Sequence, residues 1–211
     1  MNVLDHLPEP EKLKKLIKIH ALLNIILCRD EWIRYHSFVP EWKDKISMAH
    51  IDNGSGDHLF ILFAPQGTII KGFDHESELS PYARDEFEIW PGIYEGVPKT
   101  LLSLLEDEAI EHEDVTFCIW RETGDLDWQK GRVEMPEGED DGSTFLIGTI
   151  FRTPKDFVEF AEGYFDLTLP IDIVANIYDG IPVTARMIQM LNPDCDVEDV
   201  LQEIEALHLL R

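Results

Sequence analysis

The 211-residue chain has few cysteines, and their arrangement is not that of a domain stabilised by disulfide bonds. Cys28, Cys118 and Cys195 are odd in number, widely spaced and without CxxC pairs. This pattern excludes a disulfide framework or a zinc-finger spacing and favours free thiols in a reducing compartment. Cys118 has no evident histidine partner, which is typical of an inert buried thiol.

Long hydrophobic runs are also missing. The longest, residues 19–28, contains His20 and Asn24 and is too short to span a bilayer. Residues 1–10 lack a basic start followed by an apolar run, so no signal peptide is expected. We therefore predict a soluble cytoplasmic protein that does not associate with membranes.

The shortage of basic residues makes the chain strongly acidic. Forty-two acidic residues against eighteen basic ones give a formal net charge of −24. Residues 1–45 carry eight bases and seven acids, whereas residues 46–211 carry ten bases and thirty-five acids. Such a surface repels nucleic acid and anionic lipid and favours basic partners or cations. A charge that only keeps the protein soluble is the alternative.

The usual signatures of catalysis and nucleotide binding are absent. The chain has no GxSxG, GxGxxG, GxxxxGK[ST] or HExxH pattern. The acidic run 137–142 lacks the alternating ligands of a calcium-binding EF-hand loop and predicts a solvated hairpin tip. These absences favour a protein that is not an enzyme, and no cofactor is expected.

Apolar runs and turn signals predict an antiparallel sheet. Strands over residues 46–51, 59–63 and 68–73, with a turn at Asn53-Gly54, form a predicted three-stranded meander. Residues 59–63 are apolar without alternation, so this strand is expected at the centre of the sheet, covered on both faces. Further strands are predicted over residues 115–121, 132–135 and 144–151.

Helical spacing of apolar residues marks the two ends of the chain. Prolines 8 and 10 predict the start of an N-terminal helix, and Thr153-Pro154 predicts the start of a C-terminal helical part. Within that part, a last helix begins near Asp194 or Asp196. Two less regular stretches are interpreted as a short helix or packed loop over 30–44, broken at Pro40, and a helix over 99–109.

Together these elements indicate an α+β fold. The prediction is a single domain, residues 1–211, with an antiparallel sheet of about five or six strands. An N-terminal helix packs on this sheet, and a C-terminal helical part follows it. The predicted segments are 1–44 (N-terminal and helical), 45–152 (sheet-rich) and 153–211 (helical).

The first candidate site is the polar cluster Asp74-His75-Glu76-Ser77, directly after the predicted strand 68–73. Carboxylates and an imidazole at a strand end can bind a metal ion of unknown identity, with help from Asp57 or His58 nearby, or form a recognition surface. The structural alternative is that Asp74 or Ser77 caps the turn through side-chain to backbone hydrogen bonds.

The second candidate site is a polar and aromatic cluster with the members Arg121, Asp125, Asp127, Trp128 and Lys130. Two carboxylates spaced i, i+2 can act as an acid/base pair or bind a cation. In a turn between strands they can instead satisfy backbone amides or pair with Arg121.

Aromatic residues are the third feature of interest. Trp120 and Trp128 would be natural anchors for a protein partner if they are exposed, and core residues if they are buried. A self-complementary apolar patch is also compatible with the sequence, around Phe73, Tyr82, Phe87 and Trp90.

Four motifs carry a resemblance: GDHLFILF (56–63), GFDHES..SPYA (72–83), WPGI..GVP (90–98) and FCIWR...D..W (117–128). Over roughly residues 54–195 the chain resembles a family of uncharacterised bacterial proteins. It is also similar in character to the small acidic immunity proteins of the SUKH group, although it lacks that group's usual segment before the first strand. The resemblance implies no catalytic residues.

Three functions remain open from the sequence. The first is a protein-binding module, as in an immunity or regulatory protein, that acts on a basic protein partner through salt-sensitive contacts. The second is a metal-assisted hydrolase using Asp74, His75 and Glu76 with Asp125 or Asp127, which requires these side chains to converge. The third is a structural or stress-associated protein whose charge maintains solubility.

Overall fold

The computed structural model describes residues 3–209 and gives them the predicted α+β fold, with six strands and seven α-helices. Residues 1–2 and 210–211, the outer ends of the predicted segments 1–44 and 153–211, lie outside the described residues. Within the described part, no helix has both the length and the apolar character needed to cross a membrane.

One antiparallel sheet contains all six strands in chain order. They are β1 (His36–Lys43), β2 (Ile46–Asp52), β3 (His58–Ala64), β4 (Gly67–Phe73), β5 (Phe117–Glu122) and β6 (Gln129–Lys130). The predicted three-stranded meander is confirmed as β2–β3–β4. At its first turn the Asn53 side chain accepts hydrogen bonds from the backbone of Ser55 (2.7 Å) and Asp57 (3.2 Å), which holds the tight connection.

β3 is buried on both faces, as its unbroken apolar run predicted. Leu59, Ile61 and Phe63 belong to one hydrophobic core, and Phe60 and Leu62 belong to a second core on the opposite face. The sheet therefore needs a cover on each side. Burial of this apolar area, worth about 25 cal/mol per Å², is the main stabilising term on both sides.

Helices cover the first face. The long N-terminal helix α1 (Pro10–Leu27) packs on β1, and its second half is buried all round because other helices enclose it. Helices α5 (Ile171–Tyr178), α6 (Ala185–Leu191) and α7 (Val197–Ala206) contact α1, and α3 (Ser143–Gly148) and α4 (Pro154–Phe165) contribute to the same hydrophobic core. The predicted caps are confirmed, since Thr153 accepts from the backbone N–H of Asp156 and Asp196 caps α7.

The connection from β4 to β5, residues 74–116, covers the second face, and we call it the cover segment. It contains α2 (Lys99–Leu102) and two short 3-10 helices, Ser103–Glu106 and Glu108–Ile110. Leu101, Leu105 and Ile110 are fully buried against the second core. The predicted helix over 99–109 is thus broken into three short pieces.

The interpretation of residues 30–44 as a short helix or packed loop holds for the 3-10 helix Glu31–Ile33 and is wrong from His36 onward, where the edge strand β1 begins. Pro40 does not stop the strand. It lies where the register between β1 and β2 shifts, between Val39 and Lys43, at a position that pairs with no residue of β2. Proline is tolerated at such bulges and on edge strands because no ladder N–H is required there.

Two segments that were predicted as strands are not strands. Residues 144–151 form α3 and the turn after it, with Leu146, Ile147 and Ile150 buried together at helical spacing. Residues 132–135 leave the sheet, because the last ladder-like bond runs from the N–H of Gly131 to the carbonyl of Cys118. Short apolar runs do not separate helix from strand by periodicity alone.

A buried polar network joins α1 to β1. The Asn24 side chain accepts from the backbone N–H groups of Tyr35 (2.9 Å) and His36 (3.3 Å). His36 Nε2 lies 3.0 Å from the carbonyl of Thr149, and His20 Nε2 lies 2.9 Å from that of Phe151. Both imidazoles are fully buried, and this burial lowers the pKa of His36 to about 4 and holds that of His20 well below its usual range.

We predict that acid destabilises the fold through these histidines. Because the pKa of His36 is lower in the folded chain than the 6.5 of a free histidine, the unfolded state binds the proton first as pH falls below about 6.5. Stability is lost down to about pH 4, and His36 alone accounts for about 2 kcal/mol at pH 5. Urea unfolding of the wild type and His36→Gln at pH 7 and pH 5 measures this, and equal losses in both proteins contradict it.

Candidate functional site

The chain turns sharply where β4 ends. The Ser77 N–H donates to the carbonyl of Asp74 (3.2 Å), and Asp74 Oδ1 accepts from the N–H of Glu76 (3.0 Å). Ser77 Oγ accepts from the N–H of Leu79 (3.1 Å). These are the turn-capping bonds that the sequence suggested as the structural role of Asp74 and Ser77.

The buried carboxylate of Asp57, in the turn between β2 and β3, contacts the turn at residues 74–77, which we call the exit turn. Asp57 Oδ1 lies 2.6 Å from His75 Nδ1 and also accepts the backbone N–H of His75 at 2.9 Å. Asp57 Oδ2 accepts from the side-chain amide of Asn53 at 2.6 Å. The bond to Asp57 raises the pKa of His75. Burial pushes the pKa of Asp57 upward, but the bonds from His75 outweigh it and hold that pKa below its usual range.

Asp57, Asp74 and His75 are the one set of possible metal ligands that the described residues bring together, with ligand atoms all within 4.8 Å of one another. Burial raises the pKa of Asp74. Glu76 is exposed and outside this group, and the His58 side chain instead contacts Lys71, with Nε2 3.0 Å from Nζ. A metal at His75 Nδ1 would have to displace its hydrogen bond to Asp57, so the observed contacts favour a structural pair over an ion site.

The acidic run 137–142 closes over the exit turn. Ser77 Oγ donates to the carbonyl of Asp140 (2.8 Å), and Thr116 Oγ1 donates to that of Asp141 (2.9 Å). Gly142 has a φ of 75° and lies so near Asp74 that any side chain would collide with it. Residues 137–140 are exposed, as a solvated tip requires, but the prediction of a hairpin is wrong: within residues 3–209 the run connects β6 to α3, and its last residues Asp141 and Gly142 are buried.

The second predicted cluster separates into a buried and an exposed part. Arg121 is buried, with Nη2 2.7 Å from Glu9 Oε2 and Nε donating to the backbone carbonyl of Asp125 (2.9 Å). The buried Trp128 donates its indole N–H to the carbonyl of Pro8 (3.0 Å). Asp125 and Asp127 are exposed. Arg121 and Trp128 thus attach the residues before α1 to the sheet, and within residues 3–209 neither Asp125 nor Asp127 forms a carboxylate ion pair with Arg121.

The two predicted clusters do not meet. Gly67, at the start of β4, pairs with Glu122 beside the second cluster, whereas Asp74 follows the other end of β4. The length of this strand, about 20 Å at 3.3 Å per residue, separates them. The joint pocket of Asp74, His75 and Glu76 with Asp125 or Asp127 that a hydrolase requires is therefore not formed.

Both tryptophans considered as anchors are in the core. Trp128 belongs to the first core and Trp120 to the second. Among residues 3–209, the exposed aromatic side chains are Trp32 (83% exposed), Phe145 in α3 (52%), and the pair Tyr82 and Phe87 in the cover segment.

The sequence interpretation missed the fully buried Lys71 of β4. Its Nζ lies 3.0 Å from His58 Nε2 and donates to the carbonyls of Ile110 (3.0 Å) and Glu111 (2.8 Å). Burial lowers the pKa of Lys71 to about 7, while the nearby carboxylate of Glu111 opposes this shift. The pKa of His58 is lowered to about 3, mainly by burial and to a smaller extent by the charge of Lys71. The imidazole is therefore neutral and accepts a hydrogen bond from the lysine.

Three acceptors match the three protons of the Lys71 ammonium, so the side chain fixes the end of the last 3-10 helix to the sheet. The signal in the sequence is a lone lysine inside an otherwise apolar strand, since a buried charge must find partners. Its partners, residues 110–111, are distant in sequence and carry no motif.

Replacing Lys71 with methionine keeps the apolar stem and removes the donor. We expect Lys71→Met to lower the free energy of unfolding by about 1–3 kcal/mol, because two buried carbonyls lose their partner. Amide hydrogen exchange should speed up at residues 107–115 more than elsewhere. Lys99→Met, at an exposed lysine of the same segment, is the control. Unchanged exchange at 107–115 contradicts the anchoring role.

The Asp57–His75 pair predicts a measurable titration. Asp57→Asn removes the charged acceptor, so the pKa of His75, followed by NMR, should fall relative to the wild type. Asp125→Asn, at an exposed carboxylate near the other end of the sheet, is the control and should leave it unchanged. A pKa of His75 that is equal in the wild type and Asp57→Asn shows that the pair does not form.

Comparisons with protein-family models, with curated proteins and with solved structures find no match to this chain. The resemblances seen in the motifs therefore stay expectations. The function has to be argued from the charges, contacts and exposed residues of the chain itself.

Proposed function

We propose that this chain is a protein-binding module that binds a basic protein partner through its cover segment, as an immunity or regulatory protein would. The observation that carries the proposal is an exposed aromatic pair in a segment whose many carboxylates, with the exception of Asp107, form no ion pair with a lysine or arginine of residues 3–209. The support comes from three features of residues 74–116.

The first feature is charge. The cover segment has thirteen acidic residues and two basic ones, Arg84 and Lys99. None of the thirteen is buried, and within residues 3–209 only Asp107 forms an ion pair with a lysine or arginine, Lys43 (2.7 Å). This uncompensated charge attracts a basic surface and speeds its association.

The second feature is the aromatic pair. Tyr82 and Phe87 are 62% and 49% exposed, with ring centroids 5.0 Å apart. The Tyr82 ring also contacts the buried Phe73, and its hydroxyl donates to Asp114 at 2.8 Å, which fixes its orientation. Rigid, exposed aromatic rings with a polar tip are typical of interface hot spots.

The third feature is the attachment of the segment's backbone to the sheet and to its own core. Lys71 holds the carbonyls of Ile110 and Glu111, and Tyr94 donates its hydroxyl to the carbonyl of His112 (2.7 Å). The backbone of residues 110–112, in the middle of the acidic stretch 106–114, is thereby held on the sheet. A preformed surface loses less conformational entropy on binding than a mobile one.

Capture of a partner from the source cell's lysate tests the proposal. A basic protein should be retained at low salt and lost at high salt, where the Debye length falls to about 3 Å at 1 M. The double variant Tyr82→Ala/Phe87→Ala should weaken its binding by tenfold or more, because truncating hot-spot rings costs 2 kcal/mol or more. Trp32→Ala removes an exposed ring outside the cover segment and is the matched control.

Three results contradict the proposal: no basic protein is retained, retention is insensitive to salt, or the partner is lost with Trp32→Ala and kept by the double variant. Near-ultraviolet circular dichroism of each variant establishes that the fold is retained.

The second candidate is a metal-dependent function, favoured by the approach of Asp57, Asp74 and His75. It predicts that added Mn²⁺ or Zn²⁺ raises the melting temperature and that Asp74→Asn abolishes the rise. Elemental analysis and thermal unfolding with and without a chelator provide the test. No bound metal and no shift on addition would remove this candidate.

A further inference from the structure

A cavity of about 400 Å³ opens between α1 and the turn from α5 to α6, on the helical side of the sheet. Ile19, Leu22 and Ile177 are buried and form its apolar floor. The α1 side chains of Lys14, Lys15 and Lys18 line it together with Ile181. A cavity of this size fits a small molecule and is too small for a protein helix.

The lysines of this cavity stand out against the charge of the chain. Acidic residues outnumber basic ones by 42 to 18, yet within residues 3–209 neither Lys14 nor Lys15 has a carboxylate within ion-pairing distance. Lys14 and Lys18 are one turn apart on α1, and like charges at this spacing repel. The pKa of Lys18 is lowered, mainly by burial and to a smaller extent by the charge of Lys14.

Two of the three ammonium groups lie over aromatic rings of the neighbouring sheet. Lys14 Nζ lies 5.5 Å from the ring centroid of Phe63, and Lys18 Nζ lies 5.9 Å from that of Phe38. These cation–π contacts with buried rings of the first core restrict both side chains. The Lys15 ammonium lies beside Gly180 in the wall of the cavity, and the side chains of Lys14 and Lys18 line the cavity as well. Glu11 also lines it, so an incoming anion has one carboxylate to avoid.

We propose that this cavity is a binding site for a small amphipathic anion, whose apolar body contacts Ile19, Leu22 and Ile177 while its anionic group meets the lysines of α1. The ligand class is a carboxylate, sulfonate or phosphate attached to a hydrophobic group of modest size. The site lies on the opposite side of the sheet from the cover segment and does not depend on the function proposed for that segment.

Two matched fluorescent probes test the proposal with the full chain at pH 7. 8-Anilinonaphthalene-1-sulfonate carries the anionic group, and N-phenyl-1-naphthylamine is the uncharged analogue. The anionic probe should bind saturably with one equivalent, and more tightly than the neutral one. Lys14→Gln/Lys15→Gln should weaken the anionic probe by about tenfold, because a charge-assisted contact is lost. It should change the neutral probe by less than about twofold.

Two pairs of variants separate this site from other apolar surface. Lys12→Gln removes an exposed lysine of α1 that does not line the cavity and should have no effect. Ile181→Glu places a carboxylate at the cavity mouth and should abolish binding of the anionic probe. Ile171→Glu alters an isoleucine of similar exposure, 45% against 47%, outside the cavity and should leave binding intact.

The proposal is overturned if the anionic probe does not bind or if both probes bind equally. It is also overturned if binding of the anionic probe survives both Lys14→Gln/Lys15→Gln and Ile181→Glu. Unchanged urea midpoints for the variants establish that a loss of binding is not a loss of folding.

Discussion

The burial of both faces of β3 is the constraint on which the rest of the molecule depends. A strand with apolar side chains on each face exposes one set of them to water unless both sides of the sheet are covered. Helices α1 and α3 to α7 cover one face, and residues 74–116 cover the other. The long connection between the adjacent strands β4 and β5 is explained by this need.

The two covers differ in chemistry, and this difference supplies the two proposed binding sites. The helical side concentrates lysines on the first half of α1, above an apolar cavity. The cover segment carries thirteen carboxylates and the exposed pair Tyr82 and Phe87, and the buried Lys71 fixes it to the sheet. A single buried lysine thus links the core to the surface that we propose binds a partner.

The parts of the fold that local chemistry determines could be predicted from the sequence. The two-sided apolar run of β3, the Asn53-Gly54 turn and the Thr153 cap each depend on neighbouring residues. The edge strand β1 could not be predicted, because tolerance of Pro40 depends on a register shift against β2. The run 144–151 is too short for its periodicity to separate helix from strand.

The contacts of the candidate site could likewise be predicted from the sequence only where they are local. The turn-capping role of Asp74 follows from local sequence, whereas the contact between Asp57 and His75 depends on the pairing of β2, β3 and β4. The lone lysine in β4 signals a buried charge, but only the fold shows that its partners lie at residues 110–111. Whether Trp128 is an anchor or a core residue likewise depends on the packing of residues 8–9 against β5.

Zero-length cross-linking of the captured complex tests the central claim most directly, because a carbodiimide joins carboxylates to the amines of a bound partner without a spacer. The account predicts that peptides linked to partner lysines come mainly from residues 74–116. Links concentrated on the carboxylates of α4 to α7, or spread evenly over all acidic residues, would show that the cover segment is not the binding surface.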